Sequence, residues 1–226
     1  MNTVKSRNPA SRQLFYELVS GGTGLVLALF MWGHMFFVGS ILTGEKGFDW
    51  LAEMLEVYFI AQPTVIAIFA LFLVHAILAA RKIPAQLEER RKMIELGKGL
   101  KGVHEESMLW IWQVRTGMIV LVLGSFHLVL LGIDVFTPLW GERIGIESLT
   151  SMERVQAGLW LPYAIQLASV EFHASVGLYP LAVKWGFFSR LSSQTLHAIE
   201  RVIHWLFLRL GTGILLVLAG VIPPPL

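Results

Sequence analysis

The chain contains no cysteine. That excludes disulfides, zinc–thiolate sites and iron–sulfur clusters within this polypeptide, while leaving its compartment open. Charge is scarce as well: Asp, Glu, Lys and Arg make up 15% of the 226 residues, where a soluble domain carries about 25%. No internal repeat and no low-complexity tract is present. What fills the chain is apolar, at 55% of residues. Long apolar stretches lie at about 21–43, 60–80, 108–133, 158–183 and 202–222. Each is about 20 residues or more, enough at 1.5 Å per residue to cross a ~30 Å hydrocarbon layer. The expectation is an all-α integral membrane bundle of five transmembrane helices, one domain over residues 1–226. The segment "MNTVKSRNPASRQLFYE" is polar and basic and precedes a full-length span, so the first span is expected to be a retained helix.

Basic residues set the orientation. Lys5, Arg7 and Arg12 precede span one; Arg81, Lys82, Arg90, Arg91, Lys92, Lys98 and Lys101 follow span two; Lys184, Arg190 and Arg201 follow span four. The other connections hold only Lys46, Arg143 and Arg154. By the positive-inside rule the N-terminus is expected to be cytoplasmic and "VIPPPL" outside. Pro63 suits the first turn of span two and Pro84 the chain just beyond it, while Pro180 should bend span four near its cytoplasmic end. The connection "PAQLEERRKMIELGKG" reads as a short amphipathic helix. It would be solvated, lie on anionic headgroups or dock a partner subunit.

Each of the first four spans holds one histidine: His34, His75, His127 and His173. A single membrane histidine could simply hydrogen-bond a neighbouring helix. Their depths, however, match in pairs. His34 lies before Glu45 and His127 before Asp134 on outward-running spans, which puts both about 10–16 Å from the outer boundary. His75 lies before Arg81 and His173 before Lys184 on inward-running spans, about 9–16 Å from the cytoplasmic boundary. Two imidazoles from different helices at one depth are what a b-type haem requires, one on each axial face. Gly124, Ala79 and Gly177, each on the same helix face as a ligand, would leave room for a macrocycle. With no CxxCH motif, any haem is non-covalent. Two depths argue against one zinc or copper cluster. A transporter with histidine proton relays and no haem remains open.

The runs "WGHMFFVGSIL", "LFLVHAILAARKIP", "LWIWQVRTG" leading to "GSFHL", and "VEFHASVGLY" with "AVKWG" surround these histidines. In them the chain resembles the dihaem cytochrome b membrane-anchor subunit of succinate:quinone oxidoreductases, above all that of menaquinol:fumarate reductases. The resemblance implies two haem b groups, the one near the cytoplasm held by His75 and His173, the outer one by His34 and His127. It implies a flavoprotein subunit, an iron–sulfur subunit, menaquinone and membrane lipid as partners, no nucleic acid, and a place in the inner (cytoplasmic) membrane. Complexes pairing as a dimer of heterotrimers are compatible with it. The cytochrome b of a hydrogenase or formate dehydrogenase is disfavoured by the placement of one ligand on each of four helices. Succinate oxidation in the opposite direction uses the same residues and stays open.

Glu171, at the middle of span four, is the one acidic residue deep in any span. It sits about 200° around the helix from His173 and should face away from that haem, into another cavity, where it could exchange a proton. The plain alternative is a protonated acid bonded to a neighbouring helix. The resemblance assigns Glu171 to a transmembrane proton path. In "GEKGFDWLAEMLEVYF", Glu45, Asp49, Glu53 and Glu56 are candidates to take the quinol proton, and the resemblance favours Glu56, with Glu53 in reserve. It also implies that Lys184, Arg154, Trp110 and Ser20 hold haem propionates, although this chain has "SGG" where relatives can show Gln-Ser. Arg115 and Arg209 read as snorkelling to headgroups, and His104, His197 and His204 as interfacial.

Overall fold

The computed structural model describes residues 9–81, 91–92, 95, 105–139 and 144–223. Apart from residues 91, 92 and 95, the expected amphipathic helix at 84–99 lies outside the described residues, as do Pro84, His104 and Arg143. Among the described residues there is no strand. Helix α1 spans Pro9–Gly39 and runs on through a tighter turn, Ser40–Thr43. It is followed by α2 (Glu45–Val57), α3 (Ala61–Ala80) and α4 (Glu105–Phe136). Then come α5 (Ser148–Arg154), a wide turn over Val155–Leu159, α6 (Trp160–Trp185) and α7 (Ser193–Leu218).

Among the described residues, four segments are long and apolar enough by themselves to cross a membrane: Ala10–Thr43, Ala61–Ala80, Met108–Phe136 and Ser193–Leu218. The chain is a multi-pass membrane protein. Helix α6 has the length, at 26 residues, but Gln166, Ser169, Glu171, His173 and Ser175 dilute its apolar character. Many large apolar side chains are turned outward. Ile66 is 61% exposed, Val122 68%, Val202 66% and Leu206 56%, an arrangement stable only where the solvent is itself hydrocarbon.

Helices α1, α3, α4 and α6 form a ring in which α1 packs on α3, α3 on α4, α4 on α6 and α6 on α1. Each member of this ring carries one of the four histidines. Helix α7 lies behind the ring, against α6 and α1. A compact apolar cluster closes one end, built from Met35 and Ile41, Phe48 and Ala52 of α2, Val155, and Phe207, Ile214 and Val217 of α7.

The helices overrun the apolar stretches. Helix α1 begins about three turns earlier than residue 21, and α7 starts at Ser193 rather than near 202. Apolarity marks depth in a bilayer, whereas the backbone ladder continues into water wherever polar side chains can be solvated. At the start of α7, the Ser192 hydroxyl accepts from the Thr195 amide at 3.1 Å, which caps an otherwise unpaired donor. Helices α2 and α5 occupy stretches expected as plain connections. Helix α2 buries Phe48 and Ala52 and leaves Trp50 exposed, the pattern of a surface helix.

Candidate functional site

One cavity of about 1070 Å³ runs through the ring of α1, α3, α4 and α6. All four ring histidines line it. Its volume exceeds the about 300–1,000 Å³ that houses a single drug-sized ligand. Glu17, Ser20, Trp110 and Lys184 line one end, hereafter the Lys184 end; Ile146, Ser151, Arg154 and Tyr163 line the other, the Arg154 end.

The structure brings His34 to His127, ring centres 6.1 Å apart, and His75 to His173 at 6.4 Å. Ring centres this far apart would leave room between each pair for one metal atom bonded to a nitrogen of both imidazoles at about 2 Å. Each pair would suit a haem held between two imidazoles. No group of three or more His, Asp and Glu suited to a bare metal ion occurs among the described residues.

At the Lys184 end the imidazoles are anchored by backbone. His75 Nδ1 lies 3.1 Å from the Ser20 carbonyl oxygen and 3.3 Å from Thr23 Oγ1. His173 Nδ1 lies 2.9 Å from the Gln113 carbonyl oxygen. A proton on Nδ1 satisfies each contact, fixing the tautomer and leaving the Nε2 lone pair for a ligand bond. A glycine of the neighbouring helix backs each ring. A Cβ on Gly24 would come within 2.8 Å of His75 Cε1, and one on Gly117 within 2.8 Å of His173 Cε1. The three small residues expected beside the ligands also line the cavity, but two of them meet other side chains: Gly124 faces Phe72 and Gly177 faces Gln113.

The Arg154 end is held differently. His127 is edge-on to Tyr163, ring centres 5.5 Å apart, and His34 stacks on Phe30 at 5.7 Å. No described group pairs with His127 Nδ1. Arg154 Nη2 donates to both carboxylate oxygens of Asp134 at 2.8 Å, the two side chains being 12% and 5% exposed. At the opposite end the corresponding cation, Lys184, pairs with Glu17.

Glu171 is 1% exposed and does not line the main cavity. Among the described residues, neither carboxyl oxygen has a partner of good geometry, although the Trp32 indole N–H reaches towards it from α1. Trp32 in turn stacks on Phe207 of α7, ring centres 5.5 Å apart. One turn along α6, Ser175 is 1% exposed and its hydroxyl is likewise without a partner among the described residues. Two turns along, the Tyr179 hydroxyl lies 3.0 Å from Ser193 Oγ and its ring stacks on His197 at 4.0 Å. His197 also contacts Glu200 at 3.1 Å, and His204 packs edge-on to Phe172. Arg115 lies over the Trp112 ring and Arg209 is exposed.

The carboxylates of α2 divide the work. Glu56 Oε1 accepts from the Ile146 amide at 2.6 Å, and Asp49 accepts from the Ser148 amide and hydroxyl at 2.7 and 2.8 Å. Spaced seven residues apart on one helix face, they clamp residues 145–148 over the Arg154 end of the cavity. Gly145, at φ +130°, sits so close that a Cβ would run into the Glu56 carboxylate. Glu45 and Glu53 are exposed.

Thr23, Gln113, Gly24, Gly117, Asp134, Tyr163 and Glu17 were not singled out by sequence reasoning for these contacts. A carbonyl that receives an imidazole N–H has no signature in side-chain identity, and no fixed spacing links partners on different helices.

No family model matches the chain. The fumarate reductase cytochrome b subunit of Wolinella succinogenes is 38% identical over 192 residues, covering 81% of this chain and 70% of that protein. The proteins of the same name from two strains of Helicobacter pylori are each 34% identical over 203 residues, covering 86% of this chain and 76% of theirs. The chain belongs to the fumarate reductase cytochrome b subunit family. The resemblance read from the runs around the four histidines is thereby established at the level of the family.

Proposed function

We propose that the chain is the membrane-anchor cytochrome b subunit of a menaquinol:fumarate reductase in the cytoplasmic membrane. The whole chain is one transmembrane domain with α6 as the fifth crossing and the N-terminus cytoplasmic. In that orientation the Lys184 end faces the cytoplasm, where an iron–sulfur subunit and a flavoprotein subunit dock, and the Arg154 end faces outward. The observation that carries the reading is the pairing of imidazoles at both ends of one cavity. His75 and His173 hold one haem b, His34 and His127 the other. When bound, these groups supply one-electron relays between the quinol and the partner subunits. The dicarboxylate chemistry is on the flavoprotein.

The residues of the chain do the rest. Lys184, Trp110 and Ser20 at one end and Arg154 at the other offer cationic and polar partners to propionates. Glu56 takes the quinol proton at the outer side. In support, its carboxylate accepts from the amide of Ile146, a residue that lines the outer end of the cavity. Glu171, on the face of α6 turned from the haems, carries protons inward. Electron transfer from an outer quinol site against the membrane potential costs about 2.3 kcal/mol per 100 mV. A proton moving the same way cancels that charge movement, which matters for a couple as weak as menaquinol with fumarate.

The test is the dithionite-reduced-minus-oxidised spectrum and pyridine haemochrome of the purified chain beside His173→Ala and His127→Ala. The expected result is about two low-spin b haems per chain, each substitution removing a different one. A colourless protein from cells replete in haem would end the reading. With both haems retained, Glu171→Gln is expected to abolish quinol oxidation. Wild-type turnover in that variant would remove the proton path.

A further inference from the structure

Among the described residues, the acids buried below a tenth exposure are Glu171 and Asp134. Asp134 has no part in the function proposed above. Its backbone oxygen accepts from the Gly145 amide at 2.8 Å, and its carboxylate takes two hydrogen bonds from Arg154 Nη2. The Gly145–Ser148 stretch is itself clamped by Glu56 and Asp49, so Asp134 is fixed from both backbone and side chain. Stability alone is a poor reason for this pair, because desolvating two charges offsets most of their attraction. Asp134 lies seven residues, about 10 Å along α4, beyond His127, and Arg154 lines the same end of the cavity as His127 and Tyr163.

We propose that Asp134 is the counter-charge of the outer haem site: acting through Arg154, it positions the guanidinium and lowers the potential of the haem held by His34 and His127. The inference rests on the haem reading above. A fixed negative charge in a low-dielectric site disfavours adding an electron nearby, and a fixed positive charge favours it. Arg154 alone would raise the potential of that haem, and Asp134 moderates it. Asp134 is a positioning and tuning residue rather than a catalytic one.

The experiment is a redox titration of both haems, followed optically, in the assembled complex. Haem content is measured first by pyridine haemochrome. Asp134→Asn keeps an oxygen for Arg154 but removes the charge, and should shift the outer haem to higher potential with the inner haem unmoved. Arg154→Gln should shift the same haem to lower potential. The double variant Asp134→Asn/Arg154→Gln, which removes both charges, should return close to wild type. If Asp134→Asn fails to assemble, the double variant decides: a potential as low as that of Arg154→Gln alone overturns the proposal. So does an Asp134→Asn protein whose outer haem is present with its potential unchanged, or whose two haems shift equally. Absence of haem from the wild-type chain would instead defeat the underlying reading.

Discussion

The two ends of the cavity carry the same kind of histidine pair and hold it by different means. At the Lys184 end the rings lean on backbone carbonyls of Ser20 and Gln113, with glycines behind them. The cation there is paired with Glu17 but remains 47% exposed. At the Arg154 end the rings are set among Phe30, Phe37 and Tyr163, and the cation is locked to a buried Asp134. One end is rigid at the ligand and open at the rim. The other is packed at the ligand and rigid at the rim. In the proposed orientation the open rim is the side at which partner subunits cover the chain, and the closed one must exclude water by itself.

The largest expected effect tests the rim. Asp134→Leu strands a buried guanidinium and should cost about 3–5 kcal/mol, seen as a marked fall in the thermal midpoint of the detergent-purified protein. A midpoint within a degree or two of wild type would mean that the closed rim is not closed. Next comes the ligand end. Gly117→Ala places a methyl against His173 Cε1, and such overpacking costs about 1–3 kcal/mol. The low-spin signal of the haem proposed for His75 and His173 should weaken while the other persists. Gly132→Ala is the control, since its Cβ would meet nothing within 4 Å; equal losses in both variants would contradict the close approach. The smallest effect belongs to Glu17→Gln. A partly exposed ion pair contributes about 0–1 kcal/mol, so thermal scans should barely move. A loss as large as that of Asp134→Leu would erase the difference between the two ends.

Much of the site was legible because its chemistry resides in side chains that are rare in their setting. A histidine inside an apolar run is conspicuous, and helical rise converts its distance from a charged boundary into a depth. Glu171 stood out for the same reason, and its two-residue offset from His173 put it on the opposite face of α6. Asp134 was passed over because it sits where a span was expected to end, and a carboxylate at that boundary reads as solvated until α5 and the 145–148 stretch are seen to cover it. Glu56 and Asp49 were legible as candidates but not as clamps. Their partners are amides and a hydroxyl 90 and 99 residues away, and an amide is the same in every residue. Helices α2 and α5 were missed for a related reason. Each is too short and too polar for a span, and its helicity is stabilised by packing against the bundle rather than by its own composition.

By itself the sequence determined that this chain lives in a membrane, roughly where its apolar helices lie, that four of them carry one imidazole each and which acid sits deep within a span. Those properties follow from transfer energies and from the fixed rise of a helix, both local and additive along the chain. Only the tertiary structure decided which helices form the ring and which stands behind it. It also decided which carbonyls orient the rings, which glycines let them approach and which carboxylate neutralises each cation. Those choices depend on side-chain and backbone atoms from different helices meeting within a few ångströms, and no one-dimensional pattern records such a meeting.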